Sequence, residues 1–209
     1  MTDRYNVSHR VEGQYQPGSD DKVLLNRLGI TDTKRMEELE FDLLAKMQGQ
    51  LLDEIEVDQP ITADDLCNWH HQWLEKVYEW AGSYRGVNMA KGDFLFAASH
   101  LVPKLMLDYE RDCLRQFTPC NGMGEEALCE ALAICHVEFI LIHPFREGNG
   151  RLARVLATIM ALQGNAPLLN FGGMERNKEQ YIQAIQLGHA GDYQPMRTIF
   201  SRILADSNP

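Results

Sequence analysis

The chain is poor in basic residues relative to acidic ones, without paired cysteine motifs and free of long apolar runs, and each lack removes a class of function. Its 20 Lys and Arg stand against 30 Asp and Glu, leaving a net charge of −10 at pH 7. Non-specific nucleic-acid binding needs a positive surface, so no nucleic-acid partner is expected. The five cysteines, Cys67, Cys113, Cys120, Cys129 and Cys135, are odd in number and contain no C-x-x-C pair. A disulfide framework and a zinc site are therefore set aside, and reduced thiols in a cytoplasmic protein are expected. The most apolar segment, 127–145, is broken by Glu130, His136 and Glu138. It reads as a core helix, with no membrane span. Met1 to Arg4 have no apolar run behind them, so no secretory signal is expected. Internal repeats, low-complexity tracts and linkers are missing too, and 209 residues suit one large domain with a small extension.

Helical periodicity is what the chain has in place of these. Met36, Leu39, Leu43, Met47, Leu51 and Ile55 recur at helical spacing between Thr33 and about Val57. Thr62-Ala63-Asp64-Asp65 has the form of a capping box. The helix after it carries Leu66, Trp69, Trp73, Val77 and Trp80 on one stripe, and their spacing reads as core. His70 and His71 have no Glu or Cys at ligand spacing and are expected at the helix surface or partly buried. Further helices are expected over 101–117, 125–142, after Gly150, over 178–188 and over 192–204. His136 is expected to pack in the core. The exception is 85–97, where short apolar runs flank Lys91-Gly92-Asp93 in the pattern of a β-hairpin. Residues 1–22 hold Gly13, Pro17, Gly18 and Ser19 and read as an extended arm, with 23–209 as the domain. The fold class is all-α: about seven or eight helices with one small hairpin.

The chemistry concentrates in His143-Pro144-Phe145-Arg146-Glu147-Gly148-Asn149-Gly150-Arg151-Leu152-Ala153-Arg154. An apolar run precedes it, and Leu152, Val155, Leu156, Ile159 and Met160 mark a helix after it, so a polar loop lies between two buried helices. The glycines allow close approach of a ligand. Unpaired amides at the start of the second helix make an anion site. Arg151 and Arg154 are one turn apart, and two guanidiniums beside free amides suit a di- or triphosphate better than a single carboxylate. Glu147 is a hard oxygen ligand suited to Mg²⁺ bridging phosphates. His143 titrates near neutrality, as a general base for a hydroxyl must.

This run matches, at every defined position, the H-x-F-x-[DE]-G-N-G-R-x-x-R signature, and the chain resembles the Fic (Fic/Doc) family from about Leu24 to Leu204. The resemblance implies a Fic fold and transfer of AMP from ATP to a Tyr, Thr or Ser hydroxyl of a target protein. It implies His143 as base, Glu147 as the Mg²⁺ ligand and Phe145 as the loop's anchor in the core. Asn149 and the amides of Gly148 and Gly150 would hold α- and β-phosphate oxygens, Arg151 the leaving pyrophosphate and Arg154 the γ-phosphate. By position, Tyr181, Ile185 and His189 would close over the adenine. The hairpin residues Asn88, Met89, Ala90, Lys91, Gly92 and Asp93 would form a flap that docks the target by main-chain hydrogen bonds. Ser8-x-x-x-Glu12-Gly13 resembles the family's inhibitory motif, in which Glu12 would pair with Arg154 and block the γ-phosphate. Otherwise an antitoxin-like partner would supply that glutamate in trans. UMP, GMP, phosphocholine or phosphate as the transferred group, removal of AMP by the same site, a toxin component and a non-catalytic nucleotide-binding module stay open as alternatives. Oligomeric state is not legible.

Overall fold

Side-chain caps set the first two helix starts in the computed structural model, which describes residues 10–92 and 94–207. Helix α1 (Thr33–Glu54) begins where the Asp32 carboxylate accepts the Arg35 amide at 2.8 Å. Helix α2 (Ala63–Leu74) opens on the expected capping box, with Thr62 and Asp65 bonded reciprocally. The hairpin follows as β1 (Ala90–Lys91) antiparallel to β2 (Phe94–Leu95), with Ala90 opposite Leu95 and Lys91 opposite Phe94. Helix α3 (Val102–Tyr109) runs on through a π turn, Glu110–Leu114, and a last turn, Arg115–Phe117. Then come α4 (Glu125–Ile142), α5 (Asn149–Gln163), α6 (Gly172–Arg176), α7 (Lys178–His189) and α8 (Gln194–Ser207). The described chain is thus mostly helical with one small hairpin, as the periodicity predicts.

Helix α4 is the axis of the core. Beyond its exposed first turns it is buried round most of its circumference, through Leu128, Leu132, Val137, Phe139 and Ile142 among others. Helices α3, α5, α7 and α8 all pack on it. Helix α7 comes against α4 at Gly188, where a Cβ would stand 2.4 Å from Val137 Cγ1. No helix among the described residues is long and apolar enough to cross a membrane.

Some boundaries differ from the sequence reading. Helix α1 stops at Glu54 because Ile55 turns extended, short of Val57. The buried stripe of α1 is Met36, Glu40, Leu44, Met47 and Leu51, rotated from the expected one, with Leu39 and Leu43 only half-buried. The rotation follows from Glu40, whose carboxylate is fixed inside. Helix α6 was not expected, since Gly172–Arg176 leads with two glycines and buries only Met174.

Candidate active site

Helix α4 ends because His143 takes the left-handed conformation, φ 52° and ψ 61°, which a non-glycine residue holds only with support. Arg85 supplies it. Its side chain donates to the carbonyls of His143 (2.6 Å), Ile142 (3.1 Å), Val87 (2.7 Å) and Ala97 (2.5 Å), and its amide donates to Pro144 (2.8 Å). One guanidinium, in a residue only 2% exposed, thus satisfies end carbonyls of α4 and ties them to both arms of the hairpin. Beyond it, Phe145 is fully buried and stacks on His70 at 4.0 Å. The Gly82 amide donates to His70 Nδ1 (2.8 Å), which leaves Nε2 to donate to the Glu147 carbonyl at 3.1 Å. Burial pushes the His70 pKa down to about 4. Gly148 turns the chain into α5 at φ 84°, and a Cβ there would meet Trp73 Cζ3 at 2.5 Å.

The polar groups of the loop face a cavity of about 950 Å³ between the hairpin, the start of α5 and α6–α7. The His143 ring lies 3.7 Å from Phe96 in a stack, with Nδ1 3.2 Å from the Ile140 carbonyl. A carbonyl only accepts, so Nδ1 carries the proton and Nε2 keeps a lone pair. Burial pushes this histidine's pKa down to about 4, below the near-neutral titration expected from the sequence, so the ring is neutral at pH 7. One Glu147 oxygen accepts from the Gly148 amide (2.8 Å) and from Arg151 Nη2 (3.2 Å). The same Arg151 nitrogen donates to Glu40 at 2.7 Å, and the guanidinium lies over Trp73, 4.7 Å from its ring centre. Arg154 donates from Nε to the Gly150 carbonyl (3.3 Å) and pairs through Nη1 with Glu175.

The structure brings His143, Glu147, Gly148, Asn149, Gly150, Arg151 and Arg154 to this one cavity, together with Tyr181 and Ile185 of α7. Met89, Ala90 and Lys91 line its hairpin side. Asn88 does not line it; its side chain accepts the Ser99 amide at 2.8 Å. Gly92 sits at the exposed tip, and Asp93 and Ser8 lie outside the described residues. His189 is displaced from the cavity wall and meets Phe94 edge-on at 6.4 Å.

Two expectations need correction. The Asn149 side chain is taken up by the loop itself, accepting from the Phe145 amide (2.9 Å) and donating to the Phe145 carbonyl (2.7 Å). It therefore closes the turn instead of reaching toward phosphate. Glu12 does not pair with Arg154: its carboxylate accepts the Gly86 amide (2.8 Å) and faces Arg10 (3.5 Å), while Arg154 is held by Glu175. Its backbone carbonyl accepts from Arg146 Nε at 2.8 Å, so the arm is strapped across the hairpin's foot and the motif loop.

The sequence reading missed Glu40, Arg85 and Glu175, and it placed His70 too near the surface, for that residue is 0% exposed. Glu40 carried one signal, a carboxylate four residues from both Met36 and Leu44. Arg85 carried none, since its partners lie in separate segments of chain.

The Fic/DOC family model matches residues 60–161, which span α2, the hairpin, α3, α4 and nearly all of α5. Over 190 residues the chain is 28% identical to the probable protein adenylyltransferase Fic of Salmonella typhimurium, covering 88% of this chain and 89% of that one. The Escherichia coli protein of the same name is 28% identical over 196 residues, 91% of each chain. Among solved structures, BepC with bound AMPPNP from Bartonella tribocorum aligns with a TM-score of 0.74 at 23% identity, over 93% of this chain and 97% of that one. At that identity the likeness is one of fold. The chain therefore carries, at residues 60–161, a segment that the Fic/DOC family model matches.

Proposed function

We propose that the chain is a protein adenylyltransferase that moves AMP from ATP to a Tyr, Thr or Ser hydroxyl of a target protein. The observation that carries the reading is a neutral imidazole with a free Nε2 sharing one cavity with a helix N-terminus and two arginines. The names of the Salmonella typhimurium and Escherichia coli relatives point the same way. The target oxygen attacks the α-phosphorus while its proton passes to His143 Nε2. The bond from the α-phosphorus to the α,β-bridging oxygen breaks, and pyrophosphate leaves. The first-turn amides of α5 and the Arg151 and Arg154 guanidiniums offset the phosphate charge. Arg154 must leave Glu175 to do so, and Glu175 has the freedom to yield because its side chain is 64% exposed. A cavity of about 950 Å³ is ample for a nucleotide, with Tyr181 and Ile185 flanking the base.

Glu147 is the residue that would hold Mg²⁺. Its carboxylate stands at the cavity, 43% exposed, and no cluster of three such ligands exists among the described residues. That donor set fits Mg²⁺, which takes one or two carboxylates and fills the rest of its shell with phosphate and water. When bound, the ion supplies charge neutralisation between phosphates. Met89, Ala90 and Lys91 offer a short strand edge at the cavity mouth, suited to an extended segment of the target. The reading takes 23–209 as the catalytic domain and works in the cytoplasm.

The test is transfer of label from ATP labelled at the α-phosphate. Wild type labels a protein in lysate, and His143→Ala binds ATP but transfers about 10²- to 10⁴-fold more slowly. Transfer by His143→Ala at the wild-type rate would show that the base lies elsewhere.

A further inference from the structure

Glu40 lies upstream of the residues that the family model matches, and the chemistry given so far makes no use of it. It sits on the buried stripe of α1, flanked by Met36, Leu44 and Met47, with a side chain only 6% exposed. An apolar residue would serve packing better there, because a buried carboxylate loses its hydration. This one is fully engaged. Oε1 accepts from the Tyr78 hydroxyl at 2.6 Å, Oε2 accepts from Arg151 Nη2 at 2.7 Å, and the backbone carbonyl accepts from Trp73 Nε1 at 2.8 Å. Trp73, Glu40 and Glu147 surround a single object, the Arg151 guanidinium. Trp73 lies under it, Glu40 grips one end, and Glu147 shares the same nitrogen at 3.2 Å. Arg151 is otherwise a long side chain, 28% exposed at the cavity, and a free one would sample many rotamers.

We infer that Glu40 is a positioning residue of the nucleotide site: it holds the Arg151 guanidinium, and through it Glu147, in the arrangement that receives the phosphates. The inference rests on the reading of the cavity as a nucleotide site. Because Arg151 is locked before ligand arrives, the ordering of that side chain does not weigh against binding. The Glu40 charge also draws the cation to one side, so the rest of its planar fork is directed away from α1. Both effects concern phosphates and leave the nucleoside end untouched.

The test titrates ATP with Mg²⁺, and separately adenosine, into wild type, Glu40→Gln and Glu40→Leu, with thermal unfolding recorded for each. Glu40→Gln keeps the shape and loses the charge. Glu40→Leu continues the apolar stripe and keeps α1 packed. Both variants are expected to unfold cooperatively and to bind ATP about tenfold or more weakly, the scale typical of groups that hold a ligating residue from behind. Adenosine affinity stays at the wild-type value. Wild-type ATP affinity in folded Glu40→Leu overturns the inference. So does an equal loss for adenosine and ATP, which marks a role in the fold alone. The titration needs no turnover: a wild type that binds ATP yet transfers no label defeats the proposed activity and leaves the Glu40 result standing. A wild type that binds no ATP defeats both.

Discussion

Replacing Arg85 separates stability from catalysis in a way the site's geometry makes quantitative. The guanidinium donates to four backbone carbonyls and is almost wholly buried. Its removal in Arg85→Ala strands those acceptors and opens a cavity as long as the side chain. Hydrogen bonds to a charged donor are worth about 1.5–3 kcal/mol each, and water entering from the cavity restores part of that, so a cost of about 3–5 kcal/mol is expected. Against a total stability of about 5–15 kcal/mol such a variant is marginal. Arg85→Lys is the informative change, because an ammonium donates from one point and cannot span carbonyls on two segments. It should cost about 2 kcal/mol. His143 pays more in rate, since its left-handed backbone relaxes once its carbonyl is released. A displacement of the base by about 1 Å lowers turnover about 100-fold. Urea unfolding at constant m-value gives the first number and labelled transfer gives the second, with ATP affinity as the control. Arg85→Ala unfolding at the wild-type urea midpoint, or Arg85→Lys retaining full kcat, would refute the reasoning.

Two further outcomes follow from single contacts. Glu175→Ala frees Arg154 from its pair and should lower KM for ATP by up to about fivefold, the range of an exposed ion pair; an unchanged or raised KM refutes a competing role for Glu175. His136 is buried against Tyr181 with its pKa pushed down to about 4, whereas the unfolded chain protonates it near 6.5. The unfolded state alone takes up that proton as pH falls from about 6.5 to about 4, so stability is full above this window and is lost through it, by up to about 1.4 kcal/mol per pH unit. His70 and His143 are pushed down to about 4 likewise, so His136→Gln should reduce the slope of the urea midpoint across that window without abolishing it, and an unchanged slope refutes the contribution of His136.

The site was legible where its chemistry is local. His143 to Arg154 are contiguous, so one helix end, one turn and one helix start fix their positions, and the cavity collects their polar residues and both glycines. Tyr181 and Ile185, named by position from the resemblance, do line the cavity, while His189, at the end of the same helix, turns toward Phe94. What escaped the sequence depends on contacts between distant segments. Arg85 is defined by carbonyls at 87, 97, 142 and 143. Glu40 is defined by Tyr78 and Arg151, 38 and 111 residues away. Asn149 shows a third limit: a residue of the right type in the right place spends its side chain on Phe145, which no spacing rule reveals.

The Glu12 strap has a thermodynamic consequence. Its carboxylate holds Gly86 at the foot of the hairpin, and its carbonyl holds Arg146 on the motif loop, so one residue staples two sides of the site together. Docking of the strap and the spacing of those sides are therefore a single equilibrium. Linkage is reciprocal: a ligand that favours the stapled spacing tightens the strap by the same factor by which the strap tightens the ligand. The arm thereby becomes a reporter of occupancy, its protection from protease rising or falling with whatever fills the space beyond it.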